Sequence, residues 1–127
     1  LQLYKVSPDR TKKIKELFNI KIITALTIED SNDVLIYKQY EKISDIILFD
    51  SKGYEKSVGF NHELLNDVPT SINKMLAGNI KYNDKLDKYI KITDIIDISG
   101  SLETTGEKDI SKINIFLNNI KKLNDET

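Results

Sequence analysis

Runs of β-branched and other apolar residues begin near positions 1, 21, 45, 72 and 94, and each is followed by a stretch with helical spacing or a turn. The interval is about 20 to 27 residues, the length of one strand plus one helix. The runs are LQLY (1–4), KIITALTI (21–28), DIILF (45–49), SINKMLA (71–77) and DIIDI (94–98). DIILF is a continuous apolar run, the pattern of a strand covered on both faces. Strands alternating with helices pair in parallel through right-handed crossovers.

Two architectures satisfy that rhythm: a five-stranded doubly wound sheet, and a partial (β/α)8 barrel of about five βα units. The regular period and the absence of G-x-G-x-x-G after the first strand favour the barrel. A whole barrel needs about 200 residues or more, so the 127 present accommodate five of eight units in one domain. The class is α/β with a parallel sheet.

The helices carry their own signals. Ser7 is placed to cap, and Pro8 occupies the first helical position. Ile14, Leu17 and Phe18 share one helical face. Ser31 or Asn32 is expected to cap a second helix bearing Ile36, Tyr40 and Ile43. HELL (62–65) is a short helical stretch after a loop with Gly53 and Gly59. Asn83 is expected to cap a helix with Leu86, Tyr89 and Ile90 inward. Asp109 opens the last and best helix, whose Ile110, Ile113, Phe116, Leu117, Ile120 and Leu123 form a stripe.

Composition excludes several functions. A net charge of −1 gives no electrostatic reason to expect nucleic acid or an acidic membrane surface. Without Cys there is neither disulfide nor thiol chemistry, and one His (His62) makes a zinc site implausible. No cofactor is implied. Apolar runs reach only four or five residues, too short for a membrane span. No signal peptide is read, and a cytoplasmic location is the default expectation. The chain starts at Leu1, inside an apolar alternation, as a strand cut from something longer would.

The last strand runs into IIDISGSLETTGEKD (95–109). Asp97 followed by Ser99, Gly100 and Ser101 is either a plain strand-to-helix turn or the rim of an anion site. Asp97 itself is either a structural hydrogen-bond hub or a substrate-facing carboxylate. Asp50 also ends a strand, as a turn former or as a catalytic acid; barrel sites lie at strand C-termini. Gly78 and Asn79 make a strand-to-loop turn, or let backbone N–H groups approach a phosphate. Ser99 reads as a hydroxyl contact, since no His or Lys nearby activates it as a nucleophile. His62 reads as a surface residue at a helix start, and Lys108-Asp109 as a helix start.

These segments resemble, in order, the C-terminal part of the phosphoribosylanthranilate isomerase family. LQLY with Ser7-Pro8-Asp9-Arg10 is similar to its fourth strand and helix start, usually Q-L-H-G. IITAL follows; then ILFDSK resembles L-L-D-[ST], MLAGNI resembles L-A-G-G-[LI], and DISGSLE with GEKD resembles D-x-S-S-G-x-E and P-G-x-K-D. The resemblance implies strands 4 to 8 of the barrel and an Amadori rearrangement of N-(5-phosphoribosyl)anthranilate in tryptophan biosynthesis. Asp50 would be the general acid that protonates the ribose ring oxygen. Gly78, Asn79, Gly100 and Ser101 would hold the phosphate of a phosphosugar, with Asp97 and Ser99 toward the rest of the substrate.

Departures accompany the resemblance. Tyr4 stands where His is usual, Asn79 replaces a second Gly, and Asn61-His62 replace Asp-Trp. The family's general base, a Cys on the first strand, and its early Arg have no counterpart. The expectation is therefore an isomerase fragment without its base, inactive alone, that self-associates through open barrel edges or binds the missing half. A stand-alone phosphate-binding half-barrel or flavodoxin-like module is the alternative. Indole-glycerol-phosphate synthase shares the phosphate logic but would want Lys and Glu where Asp50 and Asp97 stand.

Overall fold

The computed structural model describes residues 1–51 and 61–126. The expected loop carrying Gly53 and Gly59 lies outside the described residues. Five strands form one sheet: β1 (Gln2–Tyr4), β2 (Ile23–Ile28), β3 (Ile46–Ser51), β4 (Lys74–Ala77) and β5 (Ile95–Asp97). All neighbours are parallel, and the spatial order is the chain order. Sequential order is that of a barrel wall; a flavodoxin-like sheet would place its first strand between the second and third. The wall is open rather than closed, with β1 and β5 at its edges.

Register explains the two faces. Side chains alternate along a strand, so Leu26, Ile28, Ile47, Phe49 and Leu76 share one face. There they are buried against Val34, Tyr37, Leu86, Tyr89 and Phe116 from the helical segments. The other face carries smaller groups, with Ala25, Leu48 and Ala77 packed together beside Ile23 and Met75.

Helix α1 (Pro8–Phe18) is capped as its sequence predicts, Ser7 Oγ accepting the Arg10 N–H. Its buried residue, however, is Thr11. Leu17 and Phe18 are 73% and 67% exposed. Their helix follows the edge strand β1, so the apolar face has no outer neighbour. Helix α2 (Ser31–Leu35) is capped by Asp30, not by Ser31 or Asn32. The Asp30 carboxylate accepts from the Asn32 and Asp33 amides while Asp33 accepts from Glu29 and Asp30, a reciprocal box. After five residues the helix tightens to 3-10 geometry over Ile36–Gln39.

The helix expected after Asn83 is a single 3-10 turn, Leu86–Tyr89, with no side-chain cap. In that geometry residues three apart eclipse. Leu86 and Tyr89 therefore point inward together, and Ile90 falls outside at 47% exposure. A two-residue hairpin, β6 (Glu103–Thr104) with β7 (Glu107–Lys108), precedes helix α3 (Ile110–Asp125). Asp109 caps α3 through the Ser111 and Lys112 amides. Its stripe is narrower than its sequence suggests: Phe116 is buried, while Ile110 and Leu117 are exposed.

A repeated clamp ties the strand starts together. Lys42-Ile43-Ser44-Asp45-Ile46-Ile47 returns almost unchanged as Lys91-Ile92-Thr93-Asp94-Ile95-Ile96. In each copy the Asp accepts the first amide of the preceding strand region: Asp45 from Ile22 at 2.7 Å, Asp94 from Lys74 at 2.9 Å. Lys15 closes the first clamp at 2.6 Å. That hydrogen bond, together with the Ile22 amide, holds the Asp45 carboxyl below its ordinary pKa. Among the described residues no helix is long and apolar enough to cross a membrane.

Candidate active site

The C-terminal strand ends bring the chemistry-bearing residues together. Thr27 is level with Asp50, and Ala77 is level with Asp97. Phe49 is opposite Leu76, so the next step sets Asp50 level with Ala77. One row across the less covered face thus reads Thr27, Asp50, Ala77, Asp97. Tyr4 reaches into it from β1, its hydroxyl bonded to that of Thr27.

Asp50 is partly buried at this rim, and its Oδ1 accepts the Ser51 amide at 2.8 Å. Burial raises its pKa above the ordinary carboxylate value; the Ser51 amide opposes this, and the negative charge of Asp97 adds to it. Both surviving causes favour a carboxyl that holds its proton longer than a free Asp does. Asp97 itself is exposed.

Gly78 closes on Asp50 directly. Its φ is +88°, and a β-carbon there would stand 3.0 Å from Asp50 Oδ1 and from Ser51 Cβ. Asn79 follows with φ +56°. Asn is one of the few residues that adopt this left-handed geometry readily, which explains how it can stand where a second Gly is usual. Gly100 has open space where a side chain would project.

The two turns are laced together. Ser101 Oγ accepts the Tyr82 N–H at 2.8 Å, joining the segment after β5 to the segment after β4. The Ser101 oxygen therefore holds the framework. Ser99 is met by Lys108, whose Nζ donates to its carbonyl and hydroxyl at 3.0 Å each. Lys108 was expected only as part of a helix start; it is a cation at the Ser99–Gly100 turn, also paired with Glu103 at 3.5 Å. The hairpin β6–β7 brings it there, which no local signal in the sequence discloses.

His62 departs from its expected surface place. It is half-buried in the 3-10 turn His62–Asp67, which Asn61 caps. Its Nε2 donates to the Gly78 carbonyl at 3.3 Å, and its ring meets Tyr89 edge-on at 5.5 Å. Burial lowers its pKa, and Lys88 reinforces this against the Gly78 carbonyl and Asp84. Thr27, Tyr4, His62 and Lys108 are thus residues at this end that the sequence signals did not assign to a site. Among the described residues no cluster of His, Cys, Asp and Glu could hold a metal.

The chain and its fold are similar to those of a known family. The family model for N-(5'phosphoribosyl)anthranilate (PRA) isomerase matches residues 1–119. N-(5'-phosphoribosyl)anthranilate isomerases of Brucella canis and Brucella abortus are 28% identical over 93% of this chain and 57% of their own length. The chain thus spans a little over half of the curated relatives it matches. Phosphoribosyl anthranilate isomerase from Thermotoga maritima superposes with a TM-score of 0.78 at 23% identity, over 95% of this chain and 60% of that one. The Pyrococcus furiosus enzyme superposes at 0.71 with 18% identity, over 95% and 61%. A further isomerase structure, in complex with reduced 1-(o-carboxyphenylamino)-1-deoxyribulose 5-phosphate, superposes at 0.76 with 22% identity, over 95% and 58%.

Proposed function

Because this chain belongs to the N-(5'phosphoribosyl)anthranilate (PRA) isomerase family, we propose that it supplies the acid half and the phosphate half of an isomerase site. The reaction is the Amadori rearrangement of N-(5'-phosphoribosyl)anthranilate in tryptophan biosynthesis. The observation that carries this reading is Asp50, a partly buried carboxyl of raised pKa pressed against the Gly78 turn at a strand C-terminus.

In this reading protonated Asp50 gives its proton to the ribose ring oxygen. The C1′–O bond breaks, the ring opens, and the nitrogen lone pair forms a Schiff base. A base then takes the C2′ proton, leaving an enol-amine that tautomerises to the ketose. Acid and base must each lie within hydrogen-bond reach of the sugar. Burial first and the Asp97 charge second raise the Asp50 pKa, and Asp97 faces the rest of the substrate with Ser99. Gly78, Asn79, Gly100 and Ser101 line the phosphate, with Lys108 adding positive charge. The sequence holds no Cys, so the base role falls to a residue outside these 127. The 127-residue chain alone is then inactive, and a cytoplasmic setting suits the pathway.

The test is an assay of N-(5'-phosphoribosyl)anthranilate consumption by the chain alone, and by the chain mixed with the N-terminal portion of a family member. Activity from the mixture that Asp50→Asn abolishes supports the reading. Turnover by the chain alone would refute the missing-base part. An active mixture indifferent to Asp50→Asn would refute the acid assignment. An inactive mixture that still binds phosphate favours the alternative of a phosphate-binding module without chemistry.

A further inference from the structure

We propose that His62 is a positioning residue for the anion-binding turn after β4, acting through the carbonyl of Gly78. The inference rests on the phosphate role given to that turn above. A peptide unit is planar and trans, so the C=O of Gly78 and the N–H of Asn79 point in opposite directions. Holding the carbonyl toward His62 aims the Asn79 N–H the other way. With φ values of +88° and +56° in succession, the turn has a neighbouring peptide to pivot against, and one fixed carbonyl removes that freedom.

His62 is itself held. Its ring lies against Tyr89, whose hydroxyl donates to Asp84 at 2.9 Å. Asp84 accepts the Lys81 amide at 2.9 Å, three residues beyond Gly78. Ser101 accepts the next amide, Tyr82. The segment from Gly78 to Tyr82 is therefore pinned at three points, and His62 holds the one nearest Asp50. The residue comes from the segment after β3, so one hydrogen bond couples the acid-bearing strand's continuation to the phosphate turn.

The test uses inorganic phosphate and amide NMR on the 127-residue chain. Wild type is expected to bind with the Asn79 amide signal shifting as phosphate is added. His62→Phe, which fills the space without a donor, should bind about tenfold more weakly, the scale of one lost hydrogen bond. His62→Gln, whose amide can still donate, should recover most of that loss, which a merely space-filling role would not allow. His62→Asn, too short to reach the carbonyl, should behave like Phe and serves if the Phe variant does not fold. Wild-type affinity in both the Phe and the Asn variants, neither of which can donate to the Gly78 carbonyl, overturns the positioning role while leaving the phosphate reading intact. Absence of any Asn79 shift in wild type, with the amide resolved, overturns the phosphate reading and this inference with it.

Discussion

Gly78 lies so close to Ser51 that a β-carbon on it would overlap the Ser51 hydroxyl and stand 3.0 Å from Ser51 Cβ. The Cβ, fixed to strand β3, cannot move aside. Two consecutive strands thus meet at their C-terminal ends with backbone of one against side chain of the other, and Asp50 sits in that seam. In the proposed function, this close approach lets the acid and the anion-binding turn serve one substrate.

Gly78→Ala should be costly for two reasons, the left-handed φ and the overlap. A strained non-glycine residue costs about 1–3 kcal/mol, and the contact adds to it. Urea unfolding should show the loss as a lower midpoint with an unchanged slope. Asn79→Gly, by contrast, should change stability by only about 0.5 kcal/mol or less, since Asn already tolerates its conformation.

Asp50→Asn should raise the melting temperature at neutral pH. The folded-state pKa of Asp50 is raised by burial first and by Asp97 second. Its favourable contribution is therefore complete below the unfolded value of about 3.9 and is lost as pH rises through the folded value. The Asn amide oxygen can still accept the Ser51 N–H. Melting curves for both proteins should separate at pH 7 and converge near pH 3; a variant less stable than wild type at pH 7 would contradict this.

Asp45→Ala should behave in the opposite sense. Its pKa is lowered by Lys15 and the Ile22 amide. That stability is present above about pH 3.9 and is lost as pH falls through the depressed folded value. The variant should be less stable by about 1–3 kcal/mol at neutral pH, the scale of hydrogen bonds to a charged group. The deficit should shrink in acid, as denaturant titrations at pH 7 and pH 3 can read.

The 127-residue chain on its own should associate as concentration rises. Exposed apolar side chains include Leu17 and Phe18 at the end of α1, Ile95 on the edge strand β5 and Leu117 on α3. Unpaired parallel strand edges add backbone groups that pair with a second copy. Sedimentation velocity should show dimers or larger species, and Leu17→Lys with Phe18→Lys should reduce them without lowering the melting temperature. A single monomer boundary at all concentrations would count against it.

Much of the architecture was legible because it is local and periodic. The five apolar runs, the Ser7 and Asp109 caps, and the strand-helix alternation depend on neighbours a few residues apart. The placing of Asp50, Gly78 and Asp97 at strand ends followed from the same alternation and from the resemblance. The KISDII and KITDII copies were also in plain sight, yet their meaning as clamps appears only when adjacent strands pair. The cap of α2 falls on Asp30 rather than Ser31 or Asn32, since several capping residues lie side by side there, and the helix expected after Asn83 is shortened to the 3-10 turn Leu86–Tyr89.

The amino-acid sequence by itself determined a parallel α/β chain with acids and small residues at its strand ends, since hydrophobic period and turn chemistry act over short range. Tertiary structure alone decided which of those ends touch. Sheet order placed Gly78 against Ser51. It carried Lys108 to Ser99 and His62 to the Gly78 carbonyl. Each of these contacts joins residues separated by a loop or a whole strand, and such contacts form only when the register of the sheet is set.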